Sequence, residues 1–248
     1  MDHNDFWNSI DASKDDKAKG LYYLRERGLE EHIKVVAFLQ SFRGESDPKV
    51  TYCQVATTLR YDKRIRRCLF KYIGVVEERI RAHLLERYRN DESSVERSSA
   101  LNKKIKYYKG NFYNAVTHLL FSELVTLFNM QPSDFRNAIF PNIPNLSSNL
   151  LALSSLRNQV CHNKFLLDNH ELKPCKYDGL SNQSLYASIS NLYSLSDDGC
   201  REAFAEEIIE CSVAKDTKYG NQVDWDLPND VIVAIKGTVS LKRPKPSR

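Results

Sequence analysis

The sequence is short of the features that mark whole classes of protein. Only 9 of its 248 residues are glycine and 8 are proline, which excludes collagen-like and low-complexity chains. No window approaches 18 consecutive apolar residues, so no membrane-spanning helix is expected. The opening, MDHNDFWNSIDASKDD, is acidic and polar, unlike the basic-then-apolar start of a secretory signal. Six cysteines (53, 68, 161, 175, 200 and 211) form no CxxC pair. A chain this long builds a core without disulfides, so reduced cysteines in a soluble cytoplasmic protein are the expectation. Neither sign of charge dominates: 36 Lys and Arg stand against 32 Asp and Glu, a net of +4. So small an excess does not identify a nucleic-acid binder, and where the charge sits matters more.

What is present is a run of helical patterns. Residues 1–16 read as a loose polar leader, and a first helix is predicted from Lys17 to Arg27, broken at Gly28. A second follows over Glu30 to Phe42. From Tyr61 to about Arg89, Ile65, Leu69, Ile73, Val76, Ile80 and Leu84 recur every three or four residues, one apolar stripe on an unusually long helix. Asn90 to Leu101 reads as a polar excursion, and Lys106 to Phe128 as one further helix. Pro132-Ser133 marks another helix start, and Asn145 or Ser147 a cap for a helix carrying Leu150, Leu153, Leu156 and Val160. After Lys173 the texture changes: 174–184 is turn-like, then Leu185 to Leu195 and Glu202 to Cys211 are predicted helices. The last stretch, DVIVAIKGTVSLKRPKPSR, ends in a basic tail whose β-branched start fits either a strand or a short helix. The expectation is an all-α protein: a leader over 1–16, a helical domain over 17–173 and a mostly helical extension over 174–248.

The segment SSLRNQVCHNK, residues 154–164, carries chemistry. Asn158 and His162 are four apart and share a helix face, whereas Arg157 lies about 140° around an ideal helix from His162. A guanidinium, an amide and an imidazole suit cleavage of RNA by its own 2′-hydroxyl. Imidazole exchanges a proton near neutral pH, arginine offsets charge on a pentacovalent phosphorane, and the amide orients the ring or binds phosphate. No metal or other cofactor is needed. The spacing alone is a weak signal, since composition gives about 0.4 Arg-x4-His pairs by chance. Arg27 and His32 satisfy it too, across Gly28 and without an Asn at the second position. The plainer reading makes His162 a core-border residue and pairs Arg157 with an acid such as Asp168.

LRNQVCHNK resembles the R-N-x-x-x-H motif of the HEPN ribonuclease superfamily, and the chain is similar to the abortive-infection proteins of the AbiD and AbiF type. Leu24-Arg-Glu-Arg-Gly-Leu29 fits that family's L-x-x-R-G-L leader. Tyr61-Asp62, Ile65-Arg66, and Val76-Glu77 with Arg81 fit the segment that follows. Phe121-Ser-Glu-Leu124 is similar to its Phe-Gly-x-Leu, with Ser122 in place of Gly. The resemblance covers roughly residues 18–170. It implies a HEPN-like helical bundle with catalytic residues Arg157, Asn158 and His162, the Arg157 and His162 of both chains lining one composite cleft across a homodimer. It also implies RNA products with 2′,3′-cyclic phosphate and 5′-hydroxyl ends, and a role in phage defence under a protein or noncoding-RNA antitoxin.

Residues 60–89 hold ten basic side chains against Asp62, Glu77, Glu78 and Glu86, a local net of +6. Arg60, Lys63, Arg64, Arg67 and Lys71, with Asn163 and Lys164, are the expected RNA contacts. Lys103, Lys104, Lys106 and Lys109 form a second cluster beside Tyr107 and Tyr108. Glu77 and Arg81, four apart, are expected to pair and stiffen the helix rather than to catalyse. Cys161, His162, His170 and Cys175 have ligand chemistry but no finger spacing, so no metal site is expected. The competing function is a non-catalytic module that holds a structured noncoding RNA in a ribonucleoprotein.

Overall fold

Two reciprocal hydrogen bonds start the chain. In the computed structural model, which describes residues 2–212 apart from 45, 92, 94, 168–171, 178–179 and 183–184, Asp2 and Asp5 form a capping box for α1 (His3–Ser9). The leader is therefore not loose. Phe6 and Trp7 of α1 are buried, and the Trp7 ring lies 5.2 Å from that of Tyr52. It also crosses Gly20, where an added Cβ would fall 2.5 Å from its ring. Two aromatic residues in seven outweigh the polarity of their neighbours.

Ser13 and Asp16 box the start of α2 (Lys14–Arg27). Gly28, at φ 82° and ψ 142°, turns the chain into α3 (Leu29–Gln40), a backbone region reserved for glycine. The long helix, α4 (Tyr52–Asn90), begins nine residues before its expected start at Tyr61. Thr51 and Gln54 bond each other's backbone N–H groups there, a cap of the S/T-x-x-E/Q kind. All six residues of its apolar stripe are buried.

The single helix expected over 106–128 is three: α5 (Ser99–Tyr107), α6 (Phe112–Thr117) and α7 (Phe121–Met130). Lys109 and Gly110 take positive φ at the first break, and the Asn111 side chain then caps α6. At the second break the Glu123 carboxylate accepts the Leu120 N–H at 2.9 Å. The apolar spacing runs through both breaks because each short helix turns its own apolar side inward, so periodicity alone conceals the corners.

Next come α8 (Ser133–Ile139), entered at Pro132, and α9 (Leu146–Cys161). Neither side chain expected to cap α9 does so; Asn145 precedes it in the left-handed region at φ 52°. Residues expected to be only turn-like contain an antiparallel hairpin, β1 (Cys175–Tyr177) with β2 (Leu180–Asn182). Its anchor is the buried Asn149 of α9. The Asn149 Oδ1 accepts the Lys176 N–H at 2.8 Å, while its Nδ2 donates to the Lys176 carbonyl at 2.9 Å. Asn191, in α10 (Leu185–Leu195), donates to the Asn149 carbonyl. The last described helix is α11 (Asp198–Glu210); the basic tail lies outside the described residues.

The architecture is all-α, with eleven helices and one small hairpin among the described residues. The chain divides into two compact units: one of the described residues of Met1–Arg67, Phe165–Asp168 and Glu206–Arg248, the other of those of Cys68–Lys164 and Asn169–Ala205. In the first unit Leu24, Val35, Leu39, Val55, Tyr61 and Ile65 form the core; in the second, Leu69, Ile80, Leu124, Phe128, Leu150 and Leu192 do.

Candidate functional site

The RNxxxH segment lies at the C-terminal end of α9. Leu146, Leu150, Leu153, Leu156 and Val160 face inward at helical spacing. The opposite face carries Leu151, 44% exposed, then Asn158 and His162, both exposed. Arg157 is half-buried beside them.

The helix stops through hydrogen bonds that require a left-handed residue. Asn163 takes φ 54°; its N–H donates to the Val160 carbonyl, and the Lys164 N–H donates to that of Gln159 at 3.0 Å. This is a Schellman closure, in which Asn is the side chain best able to replace Gly. It places His162 on the cap itself (φ −85°, ψ 10°), its N–H bonded to the Asn158 carbonyl. Asn163, expected as an RNA contact, thus also has a backbone reason to be there. Lys164 is exposed.

Among the described residues, no hydrogen bond or ion pair engages the side chains of Arg157, Asn158 or His162. A basic, an amide and an imidazole group thus lie on the last turns of one helix, Asn158 and His162 exposed and Arg157 half-buried. Asp168, the acid considered for Arg157, lies outside the described residues, as does His170. Of the other two metal-ligand candidates, Cys161 is half-buried and Cys175 is buried, its thiol pushed up in pKa by desolvation. No group of three His, Cys, Asp or Glu side chains gathers to hold a metal among the described residues.

Four of the ten cations of residues 60–89 engage partners within the fold. Arg79 donates to the Ile139 carbonyl and covers the Phe140 ring. Arg81 donates to the Val116 carbonyl and pairs with Glu77 at 2.6 Å, the i,i+4 pair its spacing suggests. Arg87 covers Phe135, and Arg66 pairs with Asp62. These four are spent on packing. Lys63, Arg67 and Lys71 are exposed, and Arg60 and Arg64 half-exposed. Lys71 leans on the Tyr72 ring at 4.8 Å. Arg60, Lys63, Arg64 and Arg67 belong to the first unit, and Lys71, Asn163 and Lys164 to the second.

Residue-type reasoning gave Asp62 no role of its own, yet its side chain is fully buried. Its buried carboxylate forms an ion pair with Arg66, Oδ2 lying 2.8 Å from Nε, and its Oδ1 accepts the Leu166 N–H at 2.7 Å. Burial pushes its pKa up to about 6, against the opposing pull of Arg66 and of the Leu166 and Leu167 N–H groups. Asp62 therefore pins the chain segment that begins immediately after Lys164. The available signal was an Asp-x3-Arg pair inside an apolar stripe, where a lone carboxylate is costly.

Comparison of the chain with protein-family models, with curated proteins and with solved structures gives no match.

Proposed function

We propose that this chain is a HEPN-type, metal-independent endoribonuclease acting in phage defence, with Arg157, Asn158 and His162 as its catalytic residues. The reading rests on one observation: these three side chains stand at the capped end of α9 with no hydrogen bond or ion pair among the described residues. A cation, an amide and an imidazole accessible to solvent on the last turns of one helix can be reached by a substrate phosphate and its 2′-hydroxyl. The resemblance of the flanking motifs to AbiD/AbiF-type proteins supports the same reading.

In this scheme His162 takes the proton of a ribose 2′-hydroxyl, and that oxygen attacks the adjacent phosphorus. The P–O5′ bond breaks, the departing oxygen is protonated, and a 2′,3′-cyclic phosphate and a 5′-hydroxyl remain. Arg157 offsets charge on the phosphorane and Asn158 holds a phosphate oxygen. Two copies supply a composite cleft as a homodimer in the cytoplasm, restrained by a protein or noncoding-RNA antitoxin. No helix among the described residues is long and apolar enough to cross a membrane.

The test is cleavage of RNA in excess EDTA by the wild type and by His162→Ala. Cyclic-phosphate ends from the first and none from a folded second are the expected result; equal cleavage by both overturns the assignment. A second reading, an RNA-holding ribonucleoprotein without turnover, is favoured by the exposed cations Lys63, Arg67 and Lys71. It predicts that charge reversal at Arg64 and Arg67 matters more than loss of His162.

A further inference from the structure

The second unit holds a basic stretch apart in sequence from the RNxxxH segment. Residues 97–122 hold Arg97, Lys103, Lys104, Lys106 and Lys109 and no Asp or Glu. Helices exposed only to water ordinarily mix both signs. Among the described residues, none of these four lysine side chains enters a hydrogen bond or an ion pair.

Beside them stand two aromatic residues that ordinary folding would bury. Tyr107 is 77% exposed and Tyr113 63% exposed. Tyr107 meets Tyr108 edge-on at 4.9 Å, and the His118 ring lies tilted against Tyr108 at 4.7 Å, so the outermost ring is held by its neighbours. Tyr113 borders an open groove between the end of α4 and the start of α6, with Leu85, Tyr88, Arg89 and Phe112. Tyr88 and Phe112 stack face to face there, their planes 3° apart. One carboxylate, Glu86, reaches the rim and accepts a bond from Asn90 at 3.3 Å.

We infer that the face built from α5, the 108–111 turn and the start of α6 is a binding platform for single-stranded RNA, with bases stacking on Tyr107 and Tyr113 and phosphates tracked by Lys103, Lys106, Lys109 and Arg89. Flat exposed rings among uncommitted cations match both parts of an unpaired nucleotide, its π-face and its phosphate. A duplex offers phosphates but keeps its bases stacked inside, so it satisfies only half of this surface. The inference rests on RNA being the substrate or partner. It adds a recognition surface distinct from the residues proposed to cut.

The test uses the full chain carrying His162→Ala, so that bound RNA is not consumed. A fluorescent 12-nucleotide single-stranded RNA of mixed sequence and the same sequence closed into a hairpin duplex are titrated at several salt concentrations. Tyr107→Ala with Tyr113→Ala weakens single-strand binding about ten- to a hundredfold, and the double Phe variant restores it. Lys106→Glu with Lys109→Glu lowers the salt slope by about 1.4 or more. Single-strand affinity unchanged by the double Ala variant, equal binding of the hairpin, or no RNA binding at all overturns the platform. Wild-type chain that binds single strands through these tyrosines but releases no cyclic phosphate leaves the platform standing and removes the ribonuclease. Cleavage retained with binding untouched by the tyrosine variants does the reverse.

Discussion

Two segments of this chain carry the same Arg-x4-His spacing, and the structure treats them in opposite ways. At Arg27 and His32 the intervening residues include Gly28, whose backbone ends one helix and begins the next. His32 is 1% exposed, its Nδ1 lies 3.0 Å from the Gly28 carbonyl, and its ring meets the edge of Phe6. At Arg157 and His162 the second position is Asn158, the helix continues through it, and His162 is exposed on the cap. The first histidine is fastened to the break it follows, and the second ends its helix with its ring exposed. Identical spacing therefore says nothing until the backbone between the two residues is known.

The widest separation of the two segments is expected from the histidines themselves. His162→Ala should lower RNA cleavage by about 10²- to 10⁴-fold, the usual share of a proton-transfer group, with an unchanged melting curve. His32→Ala should instead cost about 2–4 kcal/mol of stability by emptying a buried site and orphaning a carbonyl, while cleavage per folded molecule stays constant. Denaturant titration alongside an end-group assay separates these; exchanged outcomes would reverse the assignment of the two segments.

The next effect concerns the buried carboxylate that pins the chain after the second segment. The Asp62 pKa is raised above its unfolded value, so the native state keeps a proton that the unfolded chain releases. Its contribution to stability is full below about pH 4 and is lost as pH rises through about 6. The loss is roughly 3 kcal/mol by linkage for a shift of this size. Denaturation of wild type and Asp62→Asn between pH 4 and 7 should show this downward slope only in the wild type. Parallel curves would mean that Arg66 fully compensates the burial.

Exchanging the second-position residues gives a smaller effect. Gly28→Asn should cost about 1–3 kcal/mol, since φ 82° with ψ 142° is strained for any side chain. Nothing within 4 Å obstructs a Cβ there, so the loss reads conformation alone. The smallest expected change is a gain. Gly74, inside α4 with open space at its Cβ position, should contribute up to about 1 kcal/mol when replaced by Ala. Thermal melts check both glycines, and a loss at Gly74 would point to a use for its missing side chain.

Much of the helical content was legible because an apolar stripe at 3.6-residue spacing needs no tertiary information. The stripe from Ile65 to Leu84 is buried throughout, and the break at Gly28 falls where its residue type placed it. The start of α4 was legible as well, in Thr51-x-x-Gln54, but that cap is two side chains long and sits before a polar turn. The corners at Lys109–Gly110 and His118–Leu120 were not, because the apolar spacing continues across them. The α1 helix was hidden by its acidic surroundings, and the hairpin at 175–182 by its shortness.

For the candidate site, the residue types and their order were readable in LRNQVCHNK. The Schellman closure at Asn163 and the exposure of His162 were not, since both depend on where α9 ends. Nor did the sequence sort the cations of α4. Arg66 and Arg81 pair with neighbours on their own helix, whereas Arg79 and Arg87 are consumed by Phe140 and Phe135, more than 45 residues away in the chain.

By itself, then, the sequence determined that the chain is helical, where its apolar stripe runs and which side chains offer acid–base and phosphate chemistry, because these follow from residue type and local period. Only the tertiary structure decided which arginines are consumed in packing, that Asp62 is held in the core, and that one histidine is fastened inside while its counterpart is exposed. The reason is that burial and hydrogen-bond satisfaction depend on partners distant in sequence, and no local pattern specifies them.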